Sequence, residues 1–258
     1  MNYLLLICSD GVPTAEKAAA MQEHVPRWIE EMDARGVRRY GHALRDPSTA
    51  VTVRSRGGQT VLSDGPFAET KEFIGGFDMI ECADLDEAIE VAAEHPVSWF
   101  HRIEIRPFAD APMQPSAEAS PCIEAVQVPD GLGAAADGAA RDRYLLVMCL
   151  DGIPGTDEEE ASIMRDGQSW LEEVQQRGAQ VFGHALKYAD TATTVQVRDG
   201  ETLLTDGPFA ETKEFVGGFD IIEGVSREEA IEIAAKHPLA RFHMIEVRPF
   251  AEHESGDD

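Results

Sequence analysis

Two histidines and two aspartates recur at matching places in the chain and are its candidates for acid–base chemistry. His42 and His184 each lie in the tetrapeptide Gly-His-Ala-Leu, and Asp64 and Asp206 each open the sequence Asp-Gly-Pro-Phe. An imidazole titrates near neutral pH and serves as a general acid or base beside a carboxylate. We therefore predict catalytic roles for these four residues, with the aspartates orienting or deprotonating. A half-buried structural histidine and an ordinary Asp-Gly-Pro turn are the alternative.

A charged run follows each Asp-Gly-Pro-Phe. Residues 64–78 and 206–220 are identical at fourteen of fifteen positions, whereas residues 14–27 and 156–169 agree at only three of fourteen. A merely solvated run would be expected to drift as that second pair of segments has drifted. We therefore predict that the run binds a ligand, with its lysines holding an anionic group. The predicted ligand-binding residues are Glu69, Lys71, Glu72, Glu211, Lys213 and Glu214.

The remaining histidines and glycines carry weaker predictions. His95 and His237 precede prolines at predicted helix ends, where a partly charged imidazole suits the helix dipole, so we interpret them as caps. Gly75-Gly76 opens a strand rather than a helix, which excludes a phosphate-binding loop and favours conformational freedom or close backbone approach. The sequence has no His/Cys spacing typical of a metal site, and we predict no metal and no cofactor.

These residues lie in a tandem duplication. One copy spans residues 1–109 and the other residues 143–251, and a period this long indicates a duplicated domain. Residues 110–142 between the copies are rich in Ala, Pro, Gly, Ser and acids and predict a flexible linker. Residues 252–258 form an acidic tail that we expect to be disordered.

Composition limits the class of protein. The 258 residues include 48 acidic and 22 basic side chains, a net charge of −26, which disfavours direct binding to nucleic acid. The sequence has no run of about 18 or more apolar residues and no signal-peptide pattern, so we predict a cytoplasmic protein without membrane association. The four cysteines have no Cys-x-x-Cys pair and are predicted to be buried thiols.

Hydrophobic periodicity gives the same order of elements in both copies. Each reads as strand, helix, strand, a β-hairpin leading into Asp-Gly-Pro-Phe, strand, helix, strand. This order predicts an α+β fold in which each repeat is a ferredoxin-like split βαβ unit with an inserted hairpin. Because helices cover one face of such a sheet, we expect the repeats to pack sheet against sheet as an intramolecular pseudo-dimer, in a chain that is a monomer or a homodimer.

Residues 64–72, together with Gly75-Gly76-Phe77 and the closing residues 104–107, resemble the YCII-related family in its Asp-Gly-Pro-Phe (DGPF) branch. The resemblance covers both repeats and implies a dimeric α/β barrel, here with both halves in one chain. A relative in that family is a chloromuconolactone dehalogenase. In the shorter branch a His/Asp pair is suggested as catalytic, with the histidine on the first helix, where this chain has His24 in one copy and Asp166 in the other.

We therefore expect a YCII-related protein that binds a small, anionic organic molecule in barrel pockets, with lyase- or isomerase-type acid–base chemistry as an extension. The identity of that ligand stays open. The resemblance also implies a competing function, because members of the branch resemble products encoded beside extracytoplasmic-function sigma factors. In that alternative the chain is a non-enzymatic regulatory module whose acidic surface binds a sigma factor or another basic protein.

Overall fold

A computed structural model describes residues 1–11, 13–67, 72–109, 142–151, 156–209 and 214–252. The predicted linker, residues 110–142, lies outside the described residues except for residue 142, and the predicted disordered tail, residues 252–258, lies outside them except for residue 252. Also outside the described residues are Glu69, Lys71, Glu211 and Lys213.

The two repeats contain the same elements in the same order. Repeat 1 comprises β1 (Asn2–Ser9), α1 (Ala15–Ala34), β2 (Arg38–Ala43), β3 (Val51–Arg56), β4 (Gln59–Asp64), β5 (Phe73–Glu81), α2 (Leu85–Glu94) and β6 (Arg102–Pro107). Repeat 2 comprises β7 (Arg143–Leu150), α3 (Asp157–Gln176), β8 (Gln180–Ala185), β9 (Thr193–Arg198), β10 (Glu201–Asp206), β11 (Phe215–Glu223), α4 (Arg227–Lys236) and β12 (Met244–Pro249). The predicted α+β class and element order are confirmed.

Local sequence explains where the helices begin. The Thr156 and Ser226 side chains accept hydrogen bonds from the backbone N–H three residues later. In return, the carboxylates of Glu159 and Glu229 accept from the backbone N–H of the two cap residues, so α3 and α4 both begin with a complete capping box. In the described part of the chain, no helix is long and apolar enough to span a membrane.

Twelve strands form two antiparallel six-stranded sheets, and the repeats exchange their hairpins. Sheet 1 has the order β10-β9-β6-β1-β5-β2, and sheet 2 has the order β4-β3-β12-β7-β11-β8. The hairpin β3–β4 of repeat 1 therefore extends the sheet of repeat 2 by pairing with β12, and β9–β10 pairs with β6 in return. The sequence predicted the hairpins but not this exchange.

The two sheets share one apolar core. That core contains Leu4, Leu6 and Cys8 from β1 together with Leu145, Val147 and Cys149 from β7, so it is built from both sheets. Two further cores lie beneath the helices, one for each repeat. The central strands of each sheet are therefore buried on both faces, which explains the continuous apolar runs of β1 and β7, whereas the edge strands β4 and β10 are exposed.

Candidate functional site

The charged side chains of β6 lie in the layer between the two sheets. Leu6 of β1 lies opposite Glu104, and Cys8 lies opposite Arg102. Side chains at directly opposite positions share a face of a sheet, so Arg102 and Glu104 point to the side of the core that both sheets share. Their neighbours Ile103 and Ile105 belong instead to the core beneath the helices.

Glu104 links the two repeats. It is 1% exposed, and its Oε2 accepts a hydrogen bond of 2.9 Å from the backbone N–H of Phe209, within the Asp-Gly-Pro-Phe turn of repeat 2. Its Oε1 accepts a bond of 3.1 Å from Arg106, which is fully buried. Arg106 also donates to the carbonyl of Lys187 at 2.6 Å. A buried ion pair of repeat 1 therefore fixes the turn of repeat 2.

Repeat 2 makes the reciprocal arrangement. Glu246 accepts hydrogen bonds from the N–H of Phe67 at 2.9 Å and from Arg248 at 3.0 Å. Arg248 donates to the carbonyl of Arg45, also at 3.0 Å. Phe67 and Phe209 pack against the shared core, as turn anchors would. Each Asp-Gly-Pro-Phe turn is thus held by the opposite repeat.

Arg102 joins the turn of one repeat to the charged run of the other. Its guanidinium lies 2.8 Å from the Glu72 carboxylate and donates to the carbonyl of Phe209 at 3.4 Å. Glu72 is a predicted ligand-binding residue, and its side chain is one quarter exposed. We define site 1 as Cys8, Glu72, Arg102, Glu104 and the turn at residues 206–209. Site 1 therefore combines the charged run of repeat 1 with the Asp-Gly-Pro-Phe turn of repeat 2.

The corresponding group in the other half differs in composition. We define site 2 as Cys149, Glu214, Arg54, Glu246 and the turn at residues 64–67. Glu214 and Glu246 both raise the pKa of the Cys149 thiol, an effect added to the larger rise caused by burial. Arg54 belongs to this cluster by strand register, because Met244 lies between them, opposite Cys149 on one side and, continuing the register of β3 and β12 by one residue, opposite Arg54 on the other. The positive charge of Arg54 lowers the pKa of the same thiol.

Cys8, Cys82 and Cys149 are all buried, and the two that belong to the sites, Cys8 and Cys149, are not suited to nucleophilic chemistry. Burial raises the pKa of Cys8 and of Cys149 well above the ordinary value, and nearby glutamates add to the rise. Each thiol lies 3.3 Å from the carbonyl two residues earlier, to which it donates. Cys8 and Cys149 are therefore neutral thiols at neutral pH, and the prediction of buried thiols holds for these two and for Cys82.

The predicted histidines lie at sheet edges with structural partners. The Nδ1–H of His42 donates to the carbonyl of Ala43 at 2.9 Å, its Nε2 lies 3.2 Å from Arg143, and its ring centroid is 4.7 Å from that of Phe250. His184 repeats the pattern, with Nδ1 donating to Ala185 at 2.8 Å and its ring 4.7 Å from Phe108.

The predicted aspartates end the hairpins. Asp64 is opposite Val51 in sheet 2, and Asp206 is opposite Thr193 in sheet 1. Both side chains are exposed. His42 lies on β2 of sheet 1, so His42 and Asp64 belong to different sheets, and the same is true of His184 and Asp206. Their catalytic roles stay predictions.

Two other histidines are paired with aspartates. His101 is buried, with Nδ1 at 3.2 Å from the Asp10 carboxylate, and His243 has Asp151 at 3.4 Å. Burial lowers the pKa of both histidines, and the neighbouring aspartates partly oppose that effect. In the sequence, His101 directly precedes Arg102, and His243 directly precedes Met244.

A second buried cluster lies on the helix side of each sheet. Asp78 accepts a hydrogen bond of 2.6 Å from Arg38, and its other oxygen is 3.5 Å from His95. In repeat 2, Asp220 lies 3.5 Å from His237, and Gln180 occupies the position of Arg38. Burial raises the pKa of Asp220 to about 7 and lowers the pKa of His237 to about 3.

His95 and His237 occupy the C-cap positions of α2 and α4, as predicted, but the partial charge expected for His237 is wrong. The Nδ1 of His237 accepts a hydrogen bond from the backbone N–H of Leu239 at 3.2 Å, and the lowered pKa leaves its imidazole neutral. His95 accepts likewise from Val97 at 3.1 Å. Both side chains therefore cap the start of a following 3₁₀ helix, Pro96–Trp99 or Pro238–Arg241. For His237, burial also removes the charge that a dipole interaction would need.

His24 and Asp166, at the positions of the histidine suggested as catalytic in the shorter branch, each contact one neighbouring side chain. His24 lies edge-on to Trp99 with ring centroids 5.4 Å apart, and Asp166 lies 2.6 Å from Arg241. Arg241 occupies the position in repeat 2 that Trp99 occupies in repeat 1. Both partners have changed together, from an aromatic contact to an ion pair, which is typical of packing between a helix and its neighbour.

The residues predicted from the sequence did not include the charged residues of β6 and β12. Residues 103–109 and 245–251 agree at six of seven positions, so the criterion of internal identity that selected the charged run also marks Glu104, Arg106, Glu246 and Arg248. Within the described ranges, no group of three or more His, Cys, Asp or Glu side chains is arranged to hold a metal ion.

The repeats define a class of protein, a tandem pair of ferredoxin-like α+β units whose hairpins and turns interlock. The family model described as "YCII-related domain" matches residues 1–109 and 144–253, and the chain therefore belongs to the YCII-related family. The two matches confirm the duplication.

Similar proteins include an uncharacterized protein of Rhizobium meliloti (strain 1021). It is 38% identical over 98 residues, which are 36% of this chain and 79% of that protein. A crystal structure of a putative chlorite dismutase matches with a TM-score of 0.41 and 10% identity, covering 97% of this chain and 94% of that one.

Proposed function

We propose that the chain binds small organic anions at sites 1 and 2, in the layer between its sheets. The observation that carries the proposal is the position of Arg102. The Arg102 side chain is 41% exposed, yet its guanidinium lies among groups from both repeats, namely Glu72 at 2.8 Å and the Phe209 carbonyl at 3.4 Å. A cation at the edge of a largely apolar core is a suitable partner for a carboxylate.

The proposal includes the finer structural and family assignments. We propose that the two sheets close into an intramolecular dimeric α/β barrel, that the chain belongs to the DGPF branch, and that it acts in the cytoplasm. The shared core and the isolated bridges Leu44–Phe250 and Phe108–Leu186, which connect the two sheets, support the barrel. The fifteen-residue repeat supports the branch.

Lys71 and Lys213 complete the proposed ligand sites. Each lies one residue before a glutamate that belongs to a defined site, Glu72 or Glu214. We propose that these lysines contact the anionic group and that the chemistry, where the ligand is turned over, is of the lyase or isomerase type. His42, Asp64, His184 and Asp206 are the proposed acid–base residues of that chemistry.

A thermal-shift screen against small organic acids tests the proposal. A ligand present at about 100 times its dissociation constant stabilises the folded state by about 2.7 kcal/mol. We expect a hit to raise the melting temperature of the native chain but not that of a Lys71→Met/Lys213→Met double variant. An unchanged response in the variant would exclude the lysines, and a screen without hits would contradict anion binding.

A regulatory function rests on a separate observation, the net charge of −26. We propose as the second candidate that this acidic surface binds a basic protein such as an extracytoplasmic-function sigma factor. Association of this kind should weaken steeply between low and physiological salt, because the charges are screened over about 8–10 Å. Salt-insensitive binding, or none, measured by calorimetry at two salt concentrations, would remove this candidate.

A further inference from the structure

The two sites differ in the strand that supplies their arginine. In site 1, Ile103 of β6 pairs with Val195 of β9, so continuing the register by one residue sets Arg102 opposite Gln196. In site 2, Ile245 of β12 pairs with Val53 of β3, and the same step sets Met244 opposite Arg54. Arg102 and Met244 are equivalent positions of the repeats, as are Arg54 and Gln196.

The equivalent cross-strand pair therefore carries its arginine on different strands in the two sites, on β6 in site 1 and on β3 in site 2. Opposite positions on paired strands share a face and lie about 5 Å apart, so either strand can present a long side chain to the same space. The third member of each row is a cysteine, because Cys8 is opposite Arg102 and Cys149 is opposite Met244. Each site therefore carries one arginine at this level, and both arginines come from repeat 1.

The hairpin exchange makes this distribution possible. Repeat 1 contains arginine at both positions and repeat 2 contains it at neither. Because β3 joins the sheet of repeat 2, repeat 1 delivers Arg54 to site 2 while it keeps Arg102 in site 1. One guanidinium per site is retained although the two halves have diverged at both positions.

The two arginines also differ in their existing contacts. Arg102 already contacts Glu72 and the Phe209 carbonyl. The Arg54 side chain has no ion pair or hydrogen bond to any described residue, and its Nε is buried without a partner. The Nε atoms of Arg106 and Arg248 also lack a partner, but the terminal nitrogens of these two arginines donate to a glutamate and to a backbone carbonyl, contacts that Arg54 does not make. A buried donor without an acceptor is unfavourable, and a bound anion would relieve that cost.

We propose that Arg54 and Arg102 are the anion-binding groups of two separate sites, each taking one carboxylate of a small organic acid, and that site 2 binds it more tightly. This inference rests on the proposed function and adds the ligand class, the stoichiometry and the residues. A guanidinium fits a carboxylate with two parallel hydrogen bonds, which a lysine ammonium cannot supply. Site 2 is the tighter because its arginine has no competing carboxylate contact among the described residues.

The first measurement uses the native full-length chain. Sodium pyruvate and sodium benzoate are titrated while the arginine Nε–H resonances are followed by ¹H–¹⁵N NMR, with the two methyl esters as uncharged controls. We expect the Arg54 resonance to shift at a lower carboxylate concentration than that of Arg102, and neither to respond to the esters. Absence of any carboxylate effect would overturn this inference and the proposed function together.

The second measurement compares stoichiometries by calorimetry with the probe that shifts these resonances. Native protein should bind two equivalents, and Arg54→Gln and Arg102→Gln should each lose one, with affinity at the altered site falling about tenfold or more. Arg54→Gln/Met244→Arg, which gives site 2 the arrangement of site 1, should restore the second equivalent. If native protein and Arg54→Gln bind identically, the arginine assignment is wrong while anion binding itself stands.

Discussion

The carboxylate of Glu246, in the last strand of repeat 2, accepts a hydrogen bond of 2.9 Å from the backbone N–H of Phe67, in the turn of repeat 1. Glu104 and Phe209 make the reciprocal contact at the same distance. Both glutamates are 1% exposed and are also bound to buried arginines. The same contacts therefore hold the two repeats together and form part of both candidate sites.

Glu246→Gln should destabilise the protein strongly. Removing one member of a buried ion pair leaves the other charge uncompensated, which costs about 3–5 kcal/mol, and Arg248 is fully buried. Urea unfolding is the measurement. The matched control is Glu81→Gln, which removes an exposed pair with Arg39 and should cost less than about 1 kcal/mol. Equal losses for the two variants would show that the buried pair contributes little.

Asp220→Asn should make the protein less sensitive to pH. The pKa of Asp220 is raised from 3.8 to about 7 by burial, so between these values the folded chain holds a proton that the unfolded chain has lost. Stability from this group is therefore full at low pH and falls as pH rises towards 7. At pH 8 the free energy of unfolding of the variant should exceed that of the native protein by on the order of 4 kcal/mol, with little difference near pH 4.

The matched control for Asp220→Asn is Asp78→Asn in repeat 1. Asp78 is bonded to Arg38 at 2.6 Å, and without it that guanidinium would keep only the exposed carboxylate of Asp33, at 3.5 Å. This variant should be destabilised at pH 8, opposite in sign to Asp220→Asn. Unfolding curves at pH 4, 6 and 8 decide the matter, and a stabilising effect of both substitutions would show that Arg38 does not compensate Asp78.

Gly41→Ala should destabilise the protein by about 1–3 kcal/mol, as overpacking of a core commonly does. A methyl group at Gly41 would lie 1.9 Å from the Asp78 carboxylate and 2.7 Å from the Phe77 carbonyl. Gly167→Ala is the control, since an added Cβ there meets nothing within 4 Å inside α3, and it should stabilise by about 0.5–1 kcal/mol. Thermal melts of both variants test this contrast, which would be refuted by a neutral Gly41→Ala.

Cutting the chain between its repeats should leave the halves associated. Each half supplies a hairpin to the sheet of the other, and the two halves share a core. A protease site introduced near residue 130 should therefore yield, after cleavage, two fragments that elute together in size-exclusion chromatography and separate in denaturant. Separate elution under native conditions would contradict the exchange of hairpins.

Strand alternation predicted two faces for residues 102–106 but could not assign them. Charged residues alternating with isoleucines are usual in a strand with one face in solvent. Here the isoleucines face the helices, and Glu104 and Arg106 face the second sheet, where they are buried. Internal identity in residues 103–109 was the available signal, because a pair that is satisfied only across repeats constrains both copies together.

Close backbone approach, one of the two interpretations of Gly75-Gly76, is supported for Gly76, whereas a Cβ on Gly75 would meet no atom closer than 3.8 Å. A Cβ on Gly76 would lie 3.1 Å from the carbonyl of His42, and neither glycine has a positive φ. Conformational freedom therefore does not explain the pair. The neighbouring strand sets this requirement, and a strand that is distant in sequence cannot be assigned from local pattern alone.

The sequence by itself determined the duplication, the order of strands and helices, the capped helix starts and the turn that follows each hairpin, since all of these depend on neighbouring residues. The tertiary structure decided which sheet each hairpin joins, which turn each glutamate holds, and that Arg54 serves the site whose β12 position is Met244. Those relationships join residues roughly 100–200 positions apart, and long-range pairing of this kind is set by burial and register across the whole molecule rather than by local preference.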